Sequence, residues 1–109
     1  MKKVYLIINE REYNDFSTTK YTDIVHICID EDLAVEYANE FVKDAIHDSL
    51  RNEHKGFVWV EGQEKSVGKY YNKEELYRGC CYLAYGSHET DSIIESYSIK
   101  IEEHELKED

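Results

Sequence analysis

Proline is absent from this chain, glycine occurs only five times, and no low-complexity stretch or internal repeat interrupts it. Without linker-like composition, residues 1–109 are expected to form a single domain, with residues 107–109 as a frayed tail. Length points the same way, since a chain of this size buries roughly two thirds of its unfolded surface around one modest core. No apolar run approaches the roughly 18 residues of a membrane span. Met1-Lys2-Lys3 leads into a short mixed segment with no small-residue cleavage site. Neither export nor membrane insertion is expected, and a cytoplasmic location is. Cysteine is also scarce: Cys28, Cys80 and Cys81 are odd in number, which argues for reduced thiols over a disulfide framework. Cys80 and Cys81 are adjacent and would point to opposite faces of a strand, which excludes a bond or a shared metal there on regular backbone.

Positive charge is the next shortage. Lysine and arginine number 13 against 24 aspartates and glutamates, a net charge of −11. Such a field repels nucleic acid and anionic membrane and attracts basic protein surfaces. The acids are concentrated. Asp30, Glu31, Asp32, Glu36, Glu40, Asp44 and Asp48 are opposed by Lys43 alone over residues 30 to 48, and residues 89 to 109 are similarly acidic, whereas residues 49 to 88 are close to neutral. In place of the missing residue types the chain carries ten tyrosines, rings whose polar end needs water or a partner.

Periodicity divides the chain into elements. Lys3–Asn9 is a nearly continuous β-favouring apolar run that suits a strand covered on both faces or at the centre of a sheet. Glu10 to Thr22 reads as a long loop or an irregular hairpin connection, and Asp23–Ile29 as a strand with Val25, Ile27 and Ile29 on one face and Ile24, His26 and Cys28 on the other. Asp30 is a good N-cap, with Glu31 and Asp32 at the positive end of the helix dipole. From there Leu33, Tyr37 and Phe41, extended by Ala34, Ala38, Ala45 and Ile46, define an apolar stripe on a helix reaching about Leu50 or Arg51. Phe57–Glu61 reads as a strand. Asn72 with Glu75 forms a capping-box pattern that predicts a short helix through Arg78, ended by Gly79. Cys80–Tyr85 and Ser92–Glu102 complete the strands, the latter with Ile93, Tyr97, Ile99 and Ile101 on one face and Ser96, Ser98 and Lys100 on the other. The expected fold is α+β: a two-layer domain with an antiparallel or mixed sheet of four to five strands and one main helix packed on one face.

Val4-Tyr5-Leu6-Ile7, Tyr13 in the following loop, the strand ending at Ile29, Glu31-Asp32-Leu33-Ala34 with Tyr37-Ala38, and the closing Tyr97, Ile99, Ile101 and Leu106 together resemble a class of small uncharacterised proteins of Gram-positive bacteria and their phages. The resemblance covers about the first 45 residues and the last strand. It implies a two-layer α/β shape and an accessory role, with no activity attached.

Motifs with chemistry fail on detail. Gly62 to Tyr70 follows an apolar strand as a phosphate-binding loop would, but five residues separate Gly62 from Gly68 and Tyr70 stands where a magnesium-binding hydroxyl is needed. His26, His47, His54, His88 and His104 show no metal-ligand spacing, so no metal and no cofactor is expected. Ser87-His88-Glu89 are sequence neighbours and cannot adopt triad geometry. The chain is therefore expected to bind and not to catalyse. The first reading is an acidic inhibitor of phage or mobile-element type, anti-CRISPR or otherwise anti-defence. It would block a basic, nucleic-acid-binding surface of a host protein through Glu36, Glu40 and Asp44 on the helix and Glu102, Glu103 and Glu105 at and beyond the end of the last strand. Direct contact with nucleic acid or membrane is not expected, and association with further copies of the chain stays open. The alternative is a small-ligand or signalling-nucleotide binder built on segment 65–82, where Lys65, Lys69, Tyr70, Tyr71, Lys73 and Arg78 interleave rings with cations.

Overall fold

The first strand runs further than its apolar residues require. In the computed structural model, which describes residues 2–13, 19–51, 57–59, 70–87 and 92–106, β1 spans Lys2–Tyr13 and pairs antiparallel with β2, Thr19–Cys28. Of the two readings of the polar stretch, loop or irregular hairpin, the second holds for its described residues: 10–13 and 19–22 are paired arms of the two strands. Cross-strand pairs hold these arms: Arg11 meets Asp23 at 3.4 Å, Lys20 meets Glu10 at 3.4 Å, and the rings of Tyr13 and Tyr21 stack edge to face at 5.7 Å.

α1 follows as Glu31–Arg51, then β3 Phe57–Trp59, α2 Lys73–Arg78, β4 Cys80–Ser87 and β5 Ser92–Leu106. The sheet order is β2-β1-β5-β4-β3, and every pairing is antiparallel. Five strands with one main helix on one face make the α+β domain anticipated from periodicity. Residues 60–61 of the expected third strand, and 107–109 of the expected frayed tail, lie outside the described residues.

Register decides which residues face the helix. Ile7 pairs with Ile101 and Asn9 with Ile99, so Tyr5, Ile7, Ile99 and Ile101 share the face that packs with Ala34, Val35, Ala38, Val42 and Ile46 of α1. β2 departs from simple alternation. Its register slips opposite Ile7 and Ile8, leaving Val25 as the extra residue of a bulge. Below the bulge His26 and Cys28 pair with Ile7 and Tyr5 on the helix side, while Ile24 and Ile27 pair with Ile8 and Leu6 on the opposite side and are more than half exposed. The expected grouping of Val25 with Ile27 and Ile29 is therefore corrected: Val25 packs against the core and Ile29 is exposed.

Two side-chain devices close the helix layer. The Asn39 amide donates to the Tyr71 carbonyl at 2.9 Å and its oxygen accepts from the Tyr71 N–H at 2.7 Å, which ties the segment before α2 to α1 as a strand partner would. Asn39→Ala leaves both Tyr71 backbone groups without that partner and should cost about 1–3 kcal/mol, read as a shift of the denaturant midpoint at unchanged slope. α2 itself carries the expected capping box between Asn72 and Glu75, and Gly79 ends it at φ 87°, a left-handed conformation that a side chain would strain.

All three cysteines are free thiols, with Cys80 opposite Ile99 and Cys81 opposite Ser98 on the two sheet faces. Burial, then the nearby Asp30 charge, pushes the Cys28 thiol above its ordinary value. A maleimide or disulfide reagent at neutral pH should accordingly modify Cys28 far more slowly in the folded chain than in denaturant, as intact mass against time would report. Equal rates would mean the site is open.

Candidate interaction surface

Asp30 starts the helix that carries the surface. Its carboxylate accepts from the Asp32 N–H at 2.8 Å and the Leu33 N–H at 3.1 Å, and its carbonyl takes the first helical bond from Ala34. The cap fixes the phase of every residue that follows.

That phase differs from the stripe of Leu33, Tyr37 and Phe41. The residues pressed on the sheet are Ala34, Val35, Ala38, Val42 and Ile46, with Phe41 and Ala45 at the margin, while Leu33 and Tyr37 remain 45% and 43% exposed. The physical reason is distance. Ala34 and Ala38, both fully buried, let the helix backbone approach β1 and β5 more closely than large side chains would allow. Leu33 and Tyr37 are displaced to the outer half of the helix. Tyr37 leans toward the sheet edge, its ring 4.8 Å from that of His26.

Glu36, Glu40 and Asp44 are exposed on this outer half, one turn apart. Leu33 and Tyr37 therefore lie beside the carboxylates and not opposite them, since 33, 36, 37, 40 and 44 are linked by steps of three and four residues. The result is one surface with two exposed apolar side chains and three acids.

Charge pairing sets these acids apart from the carboxylates that face α2 and line the sheet strands at Glu10, Glu31, Asp32, Glu102 and Glu103. Lys73 reaches Glu31 at 2.8 Å and Asp32 at 3.1 Å; Lys100 reaches Glu102 at 3.0 Å and Glu10 at 3.3 Å; Lys3 reaches Glu103 at 3.6 Å. Hydrogen bonds from Lys73 and then Tyr77 hold the Glu31 carboxyl below its ordinary value, and those from Lys100 and then His104 do the same for Glu102. Burial and the Glu31 hydrogen bond push the Tyr77 hydroxyl well up. Glu36, Glu40 and Asp44 have no cation at ion-pairing distance among the described residues. Their field is directed outward.

The other predicted residues scatter. Glu102 is on the sheet face opposite α1, whereas Glu103 and Glu105 alternate to the helix side, so the three do not form one surface with one another or with the α1 acids. In the ring-and-cation segment, Lys65 and Lys69 lie outside the described residues, as do Gly62 to Lys69 as a whole, His54, His88 and Glu89. Tyr71 is 1% exposed and belongs to the core, as does Tyr82, whose hydroxyl donates to the Asn9 side-chain oxygen at 2.6 Å. Lys73 is engaged by Glu31 and Asp32. Tyr70 and Arg78 are exposed.

Comparisons with protein-family models, with curated proteins and with solved structures found no match. The case for the surface thus rests on its own residues. Sequence reasoning found its acids but missed Leu33 and Tyr37. The signal that would have found them is the run of alanines at 34, 38 and 45, which marks the side of closest packing and sends the neighbouring large residues outward.

Proposed function

We propose that this chain is a non-catalytic binding protein that lays the outer face of α1 on a basic surface of a protein partner, one that otherwise holds nucleic acid. The observation that carries this reading is the coincidence on one helix face of three carboxylates without cation partners among the described residues and two large apolar side chains left exposed. Protein interfaces combine such parts: apolar anchors contribute most of the affinity, and a charged rim contributes orientation and association rate. Carboxylates one helical turn apart present negative charge at regular spacing, as a phosphate backbone does, and a net charge of −11 draws a basic partner in from a distance.

Occupation of such a surface excludes nucleic acid from it, and inhibition is the functional consequence. The test is a two-step one. The tagged protein is used to capture partners at low salt, and a captured protein is then assayed for release of its own nucleic acid as the chain is titrated in. The reading requires release at stoichiometric ratio, with an affinity that falls as salt rises. A partner that keeps its nucleic acid, or binding indifferent to salt, would exclude it.

A further inference from the structure

On the sheet face opposite α1 several cations gather among the acids. Glu10 on β1, Lys20 on β2, Ser98 and Lys100 on β5, and Arg78 at the end of α2 line a recess of about 260 Å³. Three cations in one recess are unusual for a chain with so few, and they come from three elements far apart in sequence, β2, α2 and β5. β1, β2 and β5 bring Glu10, Lys20 and Lys100 together through register, since Glu10 pairs with Ser98 and Glu12 with Lys20. Arg78 arrives by a different route. α2 lies along β5, and Gly79 passes so close to Lys100 that a Cβ built on the glycine would stand 3.7 Å from the Lys100 Cβ.

The lining itself carries three cations against the one carboxylate of Glu10, with Glu102 and Glu12 beside it. Glu10 is shared by Lys20 at 3.4 Å and Lys100 at 3.3 Å, and Glu102 takes the other side of Lys100 at 3.0 Å. Arg78 has no carboxylate partner among the described residues. A guanidinium presents a planar fork of donors suited to phosphate oxygens, and flanking ammonium groups add point charge without fixed direction. Glu10 and Lys100 are mostly covered, at 21% and 30% side-chain exposure, so the floor is partly screened from water and its charges act more strongly than on an open surface.

We infer that this recess is a binding site for a small phosphate-type oxyanion, held by Arg78 and Lys20 over a floor of Lys100 and Ser98. It is separate from the outer face of α1 and does not depend on the function proposed for that face. Its size suits a phosphate group with little attached to it. Glu10 acts against the ligand, holding both lysines in place while repelling negative charge, so affinity is set by the contest between Glu10 and the anion.

The probes are inorganic phosphate and adenosine monophosphate, each titrated into the ¹⁵N-labelled full chain to about 10 mM at about 50 mM sodium chloride, with sodium chloride alone as control. Saturable shifts of the Gly79, Ser98 and Lys100 amides are expected with both probes. A tighter Kd for the nucleotide assigns the ligand to nucleotides and an equal one to phosphate itself, and either supports the site. Arg78→Ala should weaken binding at least tenfold, Lys20→Ala by a smaller factor, and Glu10→Gln should tighten it. Absence of a saturable shift, shifts confined to other parts of the chain, or affinity unchanged in both Arg78→Ala and Lys20→Ala would overturn the inference. Lys20 lies on the exposed edge strand, so its variant remains informative if Arg78→Ala disturbs α2.

Discussion

Ile7→Ala is expected to lower the stability of the fold by about 2–5 kcal/mol, a large part of the 5–15 kcal/mol or so that holds a domain of this size. Ile7 is fully buried, flanked by Ile101 on one side and His26 on the other, and it lies in the cluster that joins the sheet to Ala34 and Ala38 of α1. Truncation there removes apolar area from water-free packing and leaves a cavity that neither strand can close, because both neighbours are held by ladder hydrogen bonds. Leu33→Ala, by contrast, should cost less than about 1 kcal/mol, since Leu33 is nearly half exposed. Urea unfolding of the two variants beside the parent, with a common slope, measures both. Equal losses would place Leu33 in the core and restore the helix phase that Leu33, Tyr37 and Phe41 suggest by spacing alone.

Replacement of Glu36, Glu40 and Asp44 together by lysine is expected to abolish binding to a basic partner, a loss of at least a hundredfold in affinity, while leaving the melting temperature within a few degrees of the parent. Three reversals change the charge of one helix face by six, so every basic group that the parent attracts is then repelled at contact. The fold has little to lose, because all three side chains are exposed and none supports an ion pair among the described residues. Leu33→Ala with Tyr37→Ala provides the complementary arm: the acids remain, so fast association should persist while dissociation accelerates. Unchanged affinity in the charge-reversed variant, or loss of binding that tracks loss of folding, would count against the outer face of α1 as the contact surface.

Local signals were legible in the sequence wherever one residue type has one physical role. Asp30 as N-cap, the Asn72 and Glu75 capping box, Gly79 as terminator and the apolar runs of β1 and β5 each define an element boundary or interior by short-range chemistry. Features decided by pairing were less legible. Polarity leaves residues 10–13 and 19–22 open between loop and irregular hairpin; they form strands whose side chains satisfy one another across the hairpin, as Arg11 with Asp23 and Lys20 with Glu10 do. The bulge at Val25 cannot be read from β2 alone, since it is a mismatch of two strands. Helix phase failed for a related reason. Spacing locates a stripe, but which of two overlapping stripes packs is settled by how near the sheet must come, and alanine outweighs tyrosine in that contest. The acids of the outer face were visible as composition, and the cation recess was invisible because Lys20, Arg78 and Lys100 meet only through topology.

Two neighbouring inner strands of the sheet, β1 and β5, are the first and last of its strands to be made, with Lys2 opposite Leu106. Closing so long a loop costs entropy before any hydrogen bond is gained, which places the chain among slow-folding, high-contact-order topologies. During synthesis the hairpin of β1 and β2 can form early, but the inner edge of β1 must wait with its N–H and C=O groups unpaired, and Ile7 without Ile101, until β5 has emerged. For the middle of this molecule the order of manufacture and the order of assembly are reversed: its oldest strand is among the last to acquire a second neighbour.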